Sequence, residues 1–83
     1  MDNTTRTLMS KERKAEIREE SAQIISWLEK LVDFQTATKE ANEDTALYDT
    51  AITTNTARLT VLAAEIQSDL DFRDELRKNV ASN

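Results

Sequence analysis

The apolar positions of this chain recur at alternating spacings of four and three, in two series that do not share a phase. In the first, Ile17, Ile24 and Leu31 fall at position d of a seven-residue repeat lettered a to g, and Ser21, Leu28 and Gln35 at a. The second runs Tyr48, Ile52, Asn55, Leu59, Leu62, Ile66, Asp69, Arg73, Leu76, Val80, with Ile52 and Leu59 at a. Such spacing keeps one stripe of an α-helix turned toward a neighbour and fits no strand, whose side chains alternate with period two. The pattern predicts an all-α chain with helices over about residues 10–42 and 46–80. Ser10 is the expected N-cap of the first. Residues 1–9 are polar and aperiodic and read as a flexible N-terminal arm; residues 10–83 read as a single helical domain.

The phase skip falls in Ala41-Asn42-Glu43-Asp44-Thr45, where Asn, Asp and Thr can all cap a helix. A reversal there makes an antiparallel helical hairpin; a stammer within one continuous helix is the competing account. With the reversal at Thr45, facing residues carry numbers summing to about ninety. Leu31 then meets Leu59, Leu28 meets Leu62, Ile24 meets Ile66, Gln35 meets Asn55 and Ser21 meets Asp69. Ile17 opposite Arg73 is a mismatch. Two stretches weaken the second helix. Thr53-Thr54-Asn55-Thr56 is a run of modest helix formers. Ser68 with Asp71 three residues on has the form of a capping box. Leu70 and Phe72 leave the seam there, so the alternative is a break near Ser68 and a short third helix over about 69–80.

The first helix is apolar on more sides than one neighbour covers. Ile25 and Val32 sit at e, Trp27 and Phe34 at g, while Ser26, Glu29, Lys30, Asp33 and Thr36 take the remaining positions. That width fits a helix packed against two or more others. Two hairpins associating into a four-helix bundle supply them, which makes a homo-oligomer, most simply a homodimer, the expected state. Ile25, Trp27, Val32 and Phe34 are its expected interface. The alternative is a monomer whose third helix lays Leu70, Phe72 and Leu76 over them.

Composition narrows the chemistry. With 83 residues the chain is at the size where one core barely suffices. It has no Gly and no Pro, and therefore lacks the usual material of phosphate-cradling loops and β-hairpins. It has no Cys and no His, the commonest zinc ligands and the usual parts of a nucleophilic triad. An enzyme is not expected, nor a cofactor or a metal. Carboxylates cluster at Glu16/Glu19/Glu20 and at Glu40/Glu43/Asp44, with bases close by and nothing apolar around them, and read as solvated helix surface.

The net charge of −5 is unevenly spread. Residues 1–18 hold five bases (Arg6, Lys11, Arg13, Lys14, Arg18) against Asp2, Glu12 and Glu16, a local +2. Residues 19–49 hold eight acids against Lys30 and Lys39, a local −6. A basic head before an acidic middle is not the sustained basic face of a nucleic-acid binder. Lys11, Lys14 and Arg18 share one helix face near the positive end of the helix dipole. Together with Arg6 and Arg13 they form a candidate anion site, for which pairing with neighbouring glutamates is the plainer account. The segment MDNTTRTLMS has no apolar stretch of the secretory kind, and Val61-Leu62-Ala63-Ala64 is far short of the ~20 residues that span a bilayer. No membrane association is expected, and the cytoplasm, or a host cytosol for a phage-encoded chain, is the expected location.

The leading expectation is a non-catalytic interaction protein: a small regulator, inhibitor or adaptor, in size and class like phage or mobile-element inhibitors, that binds a larger macromolecule. A self-assembling structural or assembly-chaperone component is the first alternative. An oligomer that takes a nucleotide or other anion at its basic helix ends is the second.

Overall fold

The computed structural model describes residues 7–82 and consists of two helices, α1 (Lys11–Glu40) and α2 (Ala46–Ser82), packed as an antiparallel hairpin. Ser10 caps α1 as its position predicts: its Oγ accepts from the Arg13 N–H at 3.0 Å, and its carbonyl from the Lys14 N–H. Residues 1–6 of the expected arm, Arg6 among them, lie outside the described residues. Thr7, Leu8 and Met9 are non-helical, and the Met9 N–H donates to Asp69 Oδ1 at 2.8 Å, which ties the end of the arm to α2.

The reversal is centred on Asn42, the one described residue with positive φ (61°). Asn is the residue that best tolerates this left-handed conformation after Gly, which the chain lacks. The Asn42 N–H bonds the Lys39 carbonyl and the Glu43 N–H the Thr38 carbonyl, each at 3.0 Å, the paired closure that satisfies the last carbonyls of α1. Asp44 Oδ1 then accepts from the Ala46 N–H at 3.0 Å, and the Thr45 carbonyl from the Asp49 N–H at 2.9 Å, which starts α2. This excludes the continuous helix with a stammer.

A turn centred on Asn42 rather than Thr45 changes the register. Arg13–Glu65, Glu20–Arg58 and Met9–Asp69 are in contact, pairs whose numbers sum to 78; Phe34–Tyr48 sums to 82 and Gln35–Asp49 to 84. Facing numbers thus centre about one heptad below ninety, and the pairings expected from ninety are displaced by seven residues. Ser21, not Leu28, falls opposite Leu62, and Ile17 falls opposite Ile66. Gln35 donates to Asp49 Oδ1 at 2.6 Å instead of meeting Asn55, whose Nδ2 turns back to the Ala51 carbonyl at 2.7 Å. The mismatch of Ile17 with Arg73 disappears: Arg73 pairs with Asp69 one turn earlier, at 2.8 Å.

The slip also leaves the last turns of α2 beyond the start of α1, with Leu76 and Val80 exposed. α2 continues unbroken through Thr53–Thr56 and past Ser68, so no third helix forms among the described residues. Asp71, the acid of the expected capping box, accepts instead from Gln67, and Asp69 accepts from Met9 and Arg73. The result is a rod of 64 × 23 × 21 Å with a radius of gyration of 18.8 Å. A compact domain of this length would have about 12 Å. The fold as described is the hairpin; a four-helix bundle is a matter of association between chains.

Candidate functional site

A two-helix rod has two broad faces, one on each side of the seam. In this register they are built from different residues. Position d of each helix, with the flanking g positions, makes one; position a, with the flanking e positions, makes the other.

The d/g face is closed. The buried residues Ile17, Ile24, Leu31 and Leu62 all occupy d, and Leu62, 0% exposed, has only the small Ser21 opposite it. Over this line the g residues make bridges. Arg13 binds Glu65 through two nitrogens, at 2.6 and 2.9 Å, and reaches Glu16 at 3.3 Å. Arg58 binds Glu20 in the same two-point manner, at 2.6 and 3.1 Å. Such fork-to-carboxylate pairs fix geometry as well as adding attraction. The hydrogen bonds from Arg13 and Arg58 hold the carboxyls of Glu65 and Glu20 below their ordinary range and raise both guanidinium groups above theirs. Asp69 is likewise lowered, first by the Met9 N–H and then by Arg73. Among the described residues, both ion pairs that join the helices lie on this face. Farther along it, Trp27 takes the g position facing Ala51, and Phe34 stacks on Tyr48 with ring centroids 6.1 Å apart and an interplanar angle of 18°.

The a/e face is open. Leu28, Ile52, Leu59 and Ile66 occupy a, and all four are half-buried where Ile17, Ile24, Leu31 and Leu62 at d are buried. Flanking them, Ile25 and Val32 at e of α1 are 47% and 46% exposed, and Leu70 at e of α2 is 52% exposed. A shallow groove lined by Ile25, Leu28, Glu29, Val32 and Asp33 runs along the α1 side. Between Thr53 and Ala63 the e and b positions of α2 hold only small side chains: Thr53, Thr56, Thr60 and Ala63.

The structure thus divides the four expected interface residues. Ile25 and Val32 lie on the a/e face; Trp27 and Phe34, 49% and 54% exposed, lie on the d/g face. Phe34 already has an aromatic neighbour from its own hairpin. Spacing alone does not place Leu28, Ile52, Leu59 and Ile66 in the open surface, because it assigns them to the seam, and it leaves Leu70 to the alternative third helix. The signal for them was present: the e positions of the second helix are small or apolar from Thr56 to Leu70, where a solvent face would carry charge.

The basic head is divided as well. Arg13 is held by Glu65 and Glu16 on the d/g side. Lys11, Lys14 and Arg18 stand on the a/e side of α1, and Lys14 lies close enough to Asp69 to help lower its pKa. Arg6 is outside the described residues. Of the carboxylate clusters, Glu16 and Glu20 are engaged by Arg13 and Arg58, and among the described residues no group of three or more acids is placed to hold a metal ion. No described helix is long and apolar enough to cross a membrane.

No family model matches the chain, and no curated protein or solved structure shows significant similarity to it.

Proposed function

We propose that this chain is a non-catalytic protein–protein interaction module that self-associates, most simply as two hairpins in a four-helix bundle, and acts as a small regulator, inhibitor or adaptor of a larger macromolecule. One observation carries this reading. Among the described residues only Ile17, Ile24, Leu31 and Leu62 are buried, while Ile25, Leu70 and Val61 among others remain about half-exposed on a rod 64 Å long. A core of four aliphatic side chains is small against the entropy of ordering two helices of 30 and 37 residues. The remaining apolar surface supplies what is missing once it is covered. Rigid helices that are already formed lose little freedom on docking, which suits a protein whose work is to occupy another's surface.

Sedimentation velocity over a range of concentrations, paired with affinity capture from the native cell, tests this. The expected result is a defined oligomer that retains a larger protein through stringent washing. A chain that is a well-folded monomer at every concentration and retains nothing would remove the proposal. An oligomer without a partner would favour the structural or assembly-chaperone alternative. The anion-binding alternative loses Arg13, which Glu65 and Glu16 already occupy.

A further inference from the structure

We infer that the a/e face is the docking surface for a second copy of this chain, and that the two copies pack face to face with their turns at the same end. This rests on the self-association proposed above and names the face, the occupant and the orientation.

The choice of face follows from the difference in burial. The buried aliphatic residues Ile17, Ile24, Leu31 and Leu62 all lie at d, whereas the aliphatic residues at a, Leu28, Ile52, Leu59 and Ile66, are half-open. On the d side, Arg13 with Glu65 and Arg58 with Glu20 meet across the seam, and Phe34 stacks on Tyr48 farther along. On the a side, the flanking residues along the middle of the rod are Ile25, Val32, Thr56, Ala63 and Leu70, which have no charge to pair, and charge lies toward the two ends, at Lys11, Arg18 and Arg77 and at Lys39 and Asp49. The residues of the middle extend the apolar surface outward instead. Leu28, Ile52, Leu59 and Ile66 then form the floor of a continuous apolar strip.

The area fits a dimer. The helices overlap along the 30 residues of α1, about 45 Å at helical rise, and the rod is 21–23 Å wide. One such face offers on the order of 900 Å², against the ~800 Å² per partner that a specific, stable interface buries.

The occupant follows from the shape of the strip. A partner must bring a surface of the same length, apolar along its centre, with hollows opposite Ile25 and Val32. This face meets that description itself. When a second copy is turned about the rod axis, its α2 comes over the α1 of the first, at matching height because both hairpins share one register. Ile25 and Val32 then rest over the Thr and Ala side chains between Thr53 and Ala63 of the second copy, and the converse holds by symmetry. Every helix has antiparallel neighbours, the favourable arrangement for the helix dipoles. Near the turns, Lys39 approaches Asp49 of the second copy. At the far end Lys11, Lys14 and Arg18 of one copy approach Arg73 and Arg77 of the other, a like-charge cluster that Asp69 offsets in part through its pair with Arg73 and that salt screens. The arrangement leaves both d/g faces, with Trp27, on the outside of the bundle.

The full chain carrying single substitutions tests this by sedimentation equilibrium. Ile25→Asp puts two carboxylates into the apolar strip, one per copy, and should weaken dimerisation at least ~100-fold. Trp27→Asp, on the opposite face, should leave the dimer constant within a few-fold of the parent. Because the chain has no Cys, Glu43→Cys places a single thiol at the exposed turn. A short bismaleimide should join two copies through it, and this readout needs no destabilised variant. A parent chain that is monomeric throughout would overturn both this inference and self-association, leaving only docking to a foreign protein. A dimer broken by Trp27→Asp and spared by Ile25→Asp would overturn the face while self-association stands. A dimeric Glu43→Cys chain that does not cross-link would overturn the orientation alone.

Discussion

The two faces of this hairpin solve the same problem in different ways. The aliphatic residues of the seam lie mainly at d of α1 and at a of α2, and each line needs something over it to keep water away. On the d/g face the chain supplies the cover itself: two arginine–glutamate forks span the helices, and four d residues lie buried beneath that line. On the a/e face the flanking residues along the middle of the rod are aliphatic or small, and the seam there stays half-open. Charged side chains can close a seam because their long stems lie over apolar neighbours while their ends pair and remain hydrated. Aliphatic ones close it only when another surface covers them. The contrast separates a finished surface from an unfinished one, and it is a sharper guide to association than exposure alone. Trp27 and Phe34 are at least as exposed as Ile25 and Val32, yet they stand beside a line that is already closed.

The largest effect should come from the buried line. Leu62→Ala removes a fully buried side chain at the centre of the core and should cost about 3 kcal/mol in urea or thermal denaturation. Leu59→Ala, three residues away but on the open face, makes the comparison decisive. On a lone hairpin, where Leu59 is half-buried, its loss should cost only about 1 kcal/mol. Covered by a second copy, it should cost nearly as much as Leu62→Ala, and the cost should grow with protein concentration. Equal costs would show both faces buried in solution, whereas a lasting threefold difference would show the a/e face bare.

Acid should act on the closed face first. Glu65, Glu20 and Asp69 all have carboxyls lowered by hydrogen bonds made in the folded chain. A lowered carboxyl contributes stability that is fully present above its unfolded pKa and is lost as pH falls through its folded value. The ordinary values are 4.5 for the two glutamates and 3.8 for Asp69. The melting temperature should therefore hold steady above about pH 5 and fall progressively below those values. Circular dichroism across that range checks it. A chain with both Glu20→Gln and Glu65→Gln should begin lower and fall less, since its bridges are already gone. Parallel curves for the two chains would mean that these forks contribute nothing to the closure.

How far this contrast could be read from the sequence depends on the register. The two helices, the Ser10 cap and the position of the turn segment follow from the four-three spacing and from the residues that cap helices. The division of the faces does not, because the seam pairs apolar with apolar in either of two registers one heptad apart. Charge at g distinguishes them. A sum of ninety at a and d, which puts the flanking g pairs near 85, sets Glu20 against Glu65, two like charges, whereas the observed register sets Arg13 against Glu65 and Glu20 against Arg58. That information was in the chain, but reading it requires g pairs to be weighed beside the a and d pairs. The turn geometry was less legible. With no Gly to mark the left-handed residue, Asn42, Asp44 and Thr45 all had capping chemistry, and only the backbone distinguishes the residue that reverses the chain from those that restart it. The tie between Met9 and Asp69 had no sequence signal, since one end of that bond is a backbone N–H in an aperiodic segment.

Exposed ion pairs add little each, and a smaller effect should follow from breaking one alone. Arg58→Ala removes the fork to Glu20, in which both side chains are more than a third exposed. It should lower the melting temperature slightly, and the difference between parent and variant should shrink as salt is added. A loss that persists unchanged in high salt would mean that the Arg58 stem, and not its charge, covers the seam.

The smallest effect concerns the residue that sets the register common to both faces. Asn42 holds positive φ at 61° in a turn whose hydrogen bonds close α1. Gly adopts that conformation without opposition from a Cβ, but it also gives the unfolded chain more freedom to lose. These effects nearly offset, so Asn42→Gly should raise stability by only a few tenths of a kcal/mol, while Asn42→Ala should lower it by about 1 kcal/mol. Neither substitution touches a face. Each should therefore shift stability by the same amount in the parent, in the Leu59→Ala chain and in the Arg58→Ala chain, as independent sites do. If instead Asn42→Gly erased the difference between Leu59→Ala and Leu62→Ala, the turn would be selecting between two registers of similar energy, and the closed and open faces would belong to one of them only.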